Sequence, residues 1–143
     1  MRLNDPDFPQ TPQILPCTGA DAETIHEKLR ASNARFITDC ETMNFCIRDG
    51  AGELIGGIVA CRDFDCLTVD YLFVEEAYRG RGYGGALLNH AEAQARGQGA
   101  RRILLNTFSF QAPEFYRKLG YRTFGEVTPC FGPYGQYFFI KEL

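Results

Sequence analysis

The sequence predicts an α/β fold in which one mixed, largely antiparallel sheet is flanked by helices. Three observations lead there. Apolar runs of strand character alternate with segments of helical periodicity, glycine- and proline-rich turns separate them, and neither an internal repeat nor a linker interrupts the order. That order is strand, helix, a run of antiparallel strands, helix, strand, helix and two closing strands, read as one domain over residues 1–143. A chain of this length buries roughly two thirds of its unfolded surface, so a core forms without help from a disulfide or a metal.

Residues 1–13 carry Pro6, Pro9 and Pro12 and read as an extended lead-in. Ile14-Leu15-Pro16-Cys17 is expected as a short edge strand, because Pro16 lacks the amide a central strand needs. Asp21 is placed to cap a helix over about residues 22–37, with Ile25, Leu29, Ala31 and Phe36 along one face. Strands at Asn44–Arg48 and Glu53–Arg62 flank the turn Asp49-Gly50-Ala51-Gly52 and form a hairpin. Gly56-Gly57 weakens the second of them unless a bulge or a close backbone approach requires glycine there. Leu67–Val74 is the strongest strand. Its period of two puts Thr68, Asp70, Leu72 and Val74 on one face and Val69, Tyr71 and Phe73 on the other.

A glycine-rich turn then opens a helix over Gly84–Arg96. Its apolar stripe is Leu87, Leu88, Ala91 and Ala95, with Asn89, Glu92 and Arg96 turned away, and Gly97 and Gly99 end it. Arg102–Phe108 suits the middle of a sheet, residues 112–119 form a short helix stopped at Gly120, and Tyr121–Gly125 and Gly135–Lys141 are the last strands. Pro129-Cys130-Phe131-Gly132-Pro133 belongs to the connection between them.

Composition narrows the function. The chain is 45% apolar and 23% charged, with a net charge of -3, which gives no support to nucleic-acid binding and weakly favours steering of a cationic amine. Met1–Asp7 is polar and acidic with no apolar signal-peptide core, and no stretch approaches the roughly 18 apolar residues of a membrane span. A cytoplasmic protein without a membrane partner is expected. Six cysteines and two histidines show neither a CxxC pair nor a zinc spacing, so no metal is expected. The cysteines read as small buried hydrophobes in a reducing compartment, with a reactive thiol or an oxidised pair as the alternatives.

Glycines in the turn Arg79-Gly80-Arg81-Gly82-Tyr83-Gly84 let a ligand approach the backbone, and the N–H groups at the helix start attract phosphate oxygens. Arg79 and Arg81 add positive charge. Gly80, Gly82 and Gly84 are two apart, which is neither the dinucleotide fingerprint nor a P-loop, and a purely structural tight turn is the competing reading. The whole segment Val74-Glu75-Glu76-Ala77-Tyr78-Arg79-Gly80-Arg81-Gly82-Tyr83-Gly84-Gly85-Ala86-Leu87-Leu88 resembles the acyl-CoA-binding motif of the GCN5-related N-acetyltransferase (GNAT) superfamily, with Arg79, Gly82 and Gly84 at its core positions. Ser109-Phe110-Gln111-Ala112-Pro113-Glu114-Phe115-Tyr116-Arg117-Lys118-Leu119-Gly120-Tyr121 resembles a second segment of that family, with Ser109 where asparagine is usual.

The resemblance covers about residues 13–141 and implies a GNAT-type acyl-CoA N-acyltransferase fold whose sheet is splayed between the fourth and fifth strands. It implies acetyl-CoA as cosubstrate, held by Leu72, Phe73 and Val74, by the turn residues Arg79, Gly80, Arg81, Gly82, Tyr83, Gly84 and Gly85, and by Ser109, Ala112 and Phe115. Tyr116 is then the general acid near the CoA sulfur, and a backbone N–H near Phe73 or Val74 the oxyanion donor. Asp70, a carboxylate inside an apolar strand, is either the base or amine anchor, or the partner of a buried polar group. His90 reads as a surface residue at the rim of its helix stripe.

Phe36, Phe45, Phe108, Phe110, Phe131, Tyr134 and Tyr137 are candidates for an aromatic acceptor pocket. The expected function is acetyl transfer to a primary amine of a small molecule by direct attack. The alternatives are a protein or peptide acceptor and a non-catalytic acyl-CoA sensor. The expected partner is a small-molecule amine, and a homodimer is compatible with the reading.

Overall fold

The computed structural model describes residues 13–37 and 40–143. The chain divides into two compact units, Met1–Ile37 and Thr38–Leu143. In the first, helix α1 spans Gly19–Asn33. Thr18 is its N-cap, accepting from the Asp21 amide while the Asp21 carboxylate accepts from the Thr18 amide, so both residues share one capping box. The helix therefore starts three residues before the position expected from an Asp21 cap. Ile14–Cys17 forms no strand.

The second unit holds a seven-stranded sheet: β1 (Glu41–Thr42), β2 (Phe45–Arg48), β3 (Leu54–Asp63), β4 (Cys66–Val74), β5 (Arg102–Phe108), β6 (Arg122–Phe131) and β7 (Tyr134–Glu142). Its order is β1-β3-β4-β5-β7-β6, with β2 also paired to β3. All pairings are antiparallel except β4 with β5. Helix α2 (Tyr83–Gly97) and the short helix α3 (Pro113–Lys118) connect the later strands. The β2–β3 turn is built as its residues demand: the Asp49 carboxylate accepts from the amides of Ala51 and Glu53, and Gly52 takes φ +86°. The β6–β7 hairpin closes later than the prolines suggest. Pro129, Cys130 and Phe131 lie in β6, and Phe131 pairs with Tyr134 across Gly132-Pro133.

One face of the sheet carries the core. Ile58, Ala60, Leu67, Val69, Ile103, Leu105 and Phe139 pack against Leu87, Leu88, Ala91 and Ala95 of α2, with Phe115 and Tyr116 of α3 and its C-cap Leu119 against the same cluster. The Gly56-Gly57 pair has the close approach its sequence required. A Cβ on Gly56 would stand 3.1 Å from the Phe73 carbonyl oxygen, and one on Gly57 would stand 3.2 Å from that of Phe45.

Glu92 corrects the expected helix face. It is buried, at 6% exposure, and accepts hydrogen bonds from the Tyr121 hydroxyl at 2.9 Å and from Lys141 Nζ at 2.9 and 3.0 Å. A carboxylate enters a core only with such partners. This one ties α2 to β7 and to the end of α3.

Candidate active site

β4 and β5 pair over three positions only, Cys66 with Arg102, Leu67 with Ile103 and Thr68 with Leu104, and then separate. Beyond Thr68 the two strands form a fork, and a cavity of about 300 Å³ opens there. Thr68, Asp70, Tyr71, Leu104, Asn106, Phe124 and Phe138 are among its lining residues.

Simple alternation along β4 fails at this point. Val59 pairs with Tyr71 and Ala60 with Val69, so Asp70 is the extra residue of a β-bulge. The bulge shifts the phase of the strand. Leu67 and Val69 are buried, and Leu72 and Val74 pack against the same core, while Thr68, Asp70, Tyr71 and Phe73 are exposed. Leu72 and Val74 therefore do not share the face of Asp70. Asp70 itself is exposed in the cavity wall and joins none of the ion pairs among the described residues, which removes the reading of a partner to a buried polar group.

The bulge also settles which amides face the fork. Glu75 donates to the Ile55 carbonyl at 2.9 Å, and the antiparallel ladder alternates from there. Phe73 and Tyr71 consequently direct their N–H groups at β3, whereas those of Leu72 and Val74 point to the side that β5 has vacated. Of the two amides named from the sequence as oxyanion donors, only that of Val74 is free of the β3 ladder.

At the far end of β4, a 3-10 turn at Glu76–Tyr78 leads into the glycine turn. Gly80 and Gly82 sit at φ +75° and +83°, the left-handed region that favours glycine. Gly82 is the N-cap of α2 and offers no side-chain cap, and the first intrahelical bond runs from Ala86 N to Gly82 O. The N–H groups of Tyr83, Gly84 and Gly85 thus begin the helix without a side-chain acceptor. A Cβ on Gly80, Gly82 or Gly85 would meet nothing within 4 Å, so the backbone there is open to a ligand. Gly84 differs: its Cβ would stand 3.3 Å from the Phe115 ring, with Val74 Cγ2 at 3.9 Å. The ends of β4, α2 and α3 meet at that glycine.

Both arginines fold back on the turn. Arg79 Nε donates to the Val74 carbonyl at 2.9 Å, and Arg81 Nη2 donates to that of Ala77 at 3.2 Å. Arg79 also lies over the Phe73 ring and Arg81 over the Tyr78 ring.

Tyr116 is half-buried among Phe115, Tyr121 and Phe139, and burial pushes its phenol above the ordinary value. It stays protonated at neutral pH, the state a proton donor needs. Ala112 is the N-cap of α3. Ser109 is engaged structurally: its Oγ accepts from the Gly135 amide at 3.1 Å, and its own amide donates to the Gly135 carbonyl at 2.8 Å. Gln111 adds a lock the sequence did not signal, its Oε1 accepting from Thr107 Oγ1 at 2.8 Å and from the Phe108 amide at 3.0 Å.

The expected aromatic pocket is split. Phe108, Phe110, Phe131 and Tyr134 do cluster, with ring centroids 4.9 to 5.3 Å apart. Phe45 packs instead on the edge of the exposed His90 ring at 4.5 Å, and Tyr137 packs on Phe139 and Arg117. Phe36 lies in the first unit, under the Arg35 guanidinium. The fork is walled by Tyr71, Phe124 and Phe138 instead. Two of these come from β6 and β7, which reach β4 only through the sheet order. Nothing local marks them.

The cysteines also depart from expectation. Cys17, Cys46 and Cys130 are exposed and Cys66 is half-buried, while the sulfurs of Cys40 and Cys61 meet as a disulfide. Strand alternation turns Cys46 outward between Phe45 and Ile47, and the β1–β3 pairing brings Cys40 to Cys61.

The fold recurs in known proteins. Over 93 residues the chain is 39% identical to blasticidin-S acetyltransferase of Streptomyces morookaense, covering 64% of this chain and 68% of that protein. It is 36% identical over 115 residues to the acetyltransferase Atu2258 of Agrobacterium fabrum, covering 77% and 84%. A crystal structure of an acetyltransferase from Bacillus cereus superposes with a TM-score of 0.82 at 37% identity, over 92% of this chain and 98% of that one. The acetyltransferase (GNAT) family profile matches residues 8–121, a span that holds the fork, the uncapped glycine turn and the Gly84–Phe115 contact joining them, and the chain therefore belongs to the GNAT acetyltransferase family and is an acetyltransferase.

Proposed function

We propose that the protein transfers an acetyl group from acetyl-CoA to a primary amine of a small molecule in the cytoplasm, by direct attack within the β4–β5 fork. The observation that carries this reading is the placement of Asp70. It stands on a bulge, exposed, in a cavity with aromatic walls, on the strand whose other end runs into the uncapped start of α2. The relative that acetylates blasticidin S, a small molecule, supports the acceptor class.

The residues fit an acyl-CoA. The amides of Tyr83, Gly84 and Gly85, with Arg79 and Arg81 beside them, suit a pyrophosphate at a helix N-terminus. Gly80 and Gly82 keep that approach clear. Leu72, Phe73 and Val74 line the run of the pantetheine arm along β4, and the Val74 amide donates to the thioester oxygen as charge develops there. Ser109, Ala112 and Phe115 border the same arm. Asp70 holds the ammonium form of the acceptor and takes its proton, and Tyr116 gives a proton to the departing sulfur. Holding the amine against the thioester supplies much of the remaining acceleration.

A free-thiol release assay over panels of small amines and of peptides tests the reading, with product mass as confirmation. At least one small amine should turn over well above hydrolysis. A silent amine panel with robust peptide acetylation would overturn the acceptor class. In the same assay Asp70→Asn should lower turnover most at acidic pH, where the ammonium form dominates, and leave acetyl-CoA affinity unchanged. Tyr116→Phe should keep acetyl-CoA affinity and lower turnover about ten- to a thousandfold. Because burial raises the Tyr116 phenol above its ordinary value near 10, the wild-type rate should show no Tyr116-dependent loss below that pH. Unchanged turnover in Tyr116→Phe, with chemistry rate-limiting, removes the tyrosine from the mechanism.

A further inference from the structure

We propose that Cys40 and Cys61 form a reversible dithiol–disulfide site that clamps β1 onto the sheet at the shoulder of the acceptor cleft. The pair is built by register. Glu41 pairs with Arg62 and Thr42 with Cys61, so Cys40, the residue before β1, falls diagonally across from Cys61 on the same face. Their Cα atoms are 5.7 Å apart, inside the range of about 4.4 to 6.8 Å that a disulfide spans. Cys61 in turn pairs with Thr68, which lines the cavity beside Asp70. The sulfur site and the fork are neighbours across one strand pair.

The clamp has something to hold. β1 is two residues long, tied to β3 by those two pairs, by the Met43 amide donating to the Ala60 carbonyl, and by the Arg62–Glu41 ion pair at 2.6 Å. Glu41 is half exposed, so that ion pair adds little. A strand this short opens readily when it is not cross-linked. Asp63 completes the site on the same face, with Oδ2 3.7 Å from Cys61 Sγ and Oδ1 buried without a hydrogen-bond partner. In the reduced state it accepts the Cys61 thiol hydrogen bond and keeps that sulfur turned toward Cys40.

Oxidation requires a low-molecular-weight disulfide. The exposed Cys40 thiolate attacks one of its sulfurs, forming a mixed disulfide and releasing one small thiolate. The Cys61 thiolate then attacks Cys40 Sγ, the intramolecular S–S bond forms, and the second small thiolate leaves. The two cysteines lose their protons, the two small thiolates take up protons, and two electrons pass to the small disulfide. Closing a cross-link over a sequence separation of 21 restrains the open state of β1.

The effect on acceptor binding rests on the fork being the acceptor cleft; the cross-link and the clamp do not. The experiment equilibrates the full chain with oxidised or with reduced glutathione and counts thiols under denaturing conditions. Six should titrate when reduced and four when oxidised, with peptide mass mapping joining Cys40 to Cys61. Amide exchange at Met43, whose N–H bonds the Ala60 carbonyl, should slow at least about tenfold on oxidation. The acceptor KM should shift about fivefold, with acetyl-CoA affinity unchanged. Cys40→Ser should behave as the reduced protein after either treatment, and Cys130→Ser as wild type. Six thiols after oxidation, a cross-link elsewhere, zinc bound tightly enough by the reduced pair to block oxidation, or equal exchange in both states would each overturn the proposal. A shifted exchange rate with an unchanged acceptor KM would overturn its link to the cleft. A silent amine panel counts against the acceptor reading alone, since thiol count and exchange decide the site without it.

Discussion

Aspartate in place of Gly82 is expected to abolish acetyl-CoA binding in a chain that stays folded. Gly82 sits at φ +83°, and a Cβ there meets nothing within 4 Å, so the fold pays only a left-handed backbone penalty of about 1–2 kcal/mol. The site loses far more. The new carboxylate lies at the N-cap of α2, where it competes for the amides of Tyr83, Gly84 and Gly85 and repels the pyrophosphate. Two like charges about 4 Å apart near a protein surface repel by about 4 kcal/mol, and solvent screening leaves an expected affinity loss of roughly a hundredfold or more. Gly82→Ala has the same backbone strain without the charge and should lose only severalfold. Calorimetry with acetyl-CoA, alongside circular dichroism, separates the two. Undiminished binding in a folded Gly82→Asp variant would refute the assignment of this turn.

Removing the Glu92 carboxylate should be the most damaging single change to the core. Tyr121 is buried and cannot replace the lost acceptor with water, whereas Lys141, at 22% exposure, can turn outward. Glu92→Ala is therefore expected to cost about 2–4 kcal/mol, or roughly 10 °C in melting temperature. Glu92→Gln keeps an acceptor for Tyr121 and should lose about half as much.

The same contact has an alkaline signature. Burial, with Glu92 adding to it, pushes the Tyr121 phenol far above its ordinary value near 10. A group whose folded pKa is raised contributes stability that is full below the unfolded pKa and declines as pH rises beyond it. Wild type should therefore lose stability above about pH 10, and Tyr121→Phe should flatten that loss. Thermal melts at pH 8 and pH 10.5 measure it. A Glu92→Ala variant melting within about 2 °C of wild type would show that the pair holds nothing.

The glycine turn was legible because its demands are local. Gly80 and Gly82 need positive φ and an open approach, and the helix that follows announces itself by its stripe. The Gly56-Gly57 pair was legible for the same reason. Glu92 was misread because helical periodicity marks the stripe but not its flank, and the two groups that satisfy this carboxylate lie 29 and 49 residues away. Asp70 was recognised as anomalous, yet its neighbours were assigned to the wrong face. One extra residue in β4 inverts everything after it, and no residue type betrays a bulge.

From the sequence alone came the order of strands and helices from Phe45 onward, the glycine turn and the two family motifs, since each depends on neighbours within a few positions. The structure alone decided the register: the bulge at Asp70, the amides left facing the fork, the walls contributed by Phe124 and Phe138, the meeting of Cys40 with Cys61, and the burial of Glu92. The physical reason is that backbone preference and periodicity act over a turn or two, whereas pairing between distant strands is chosen by the free energy of the whole sheet.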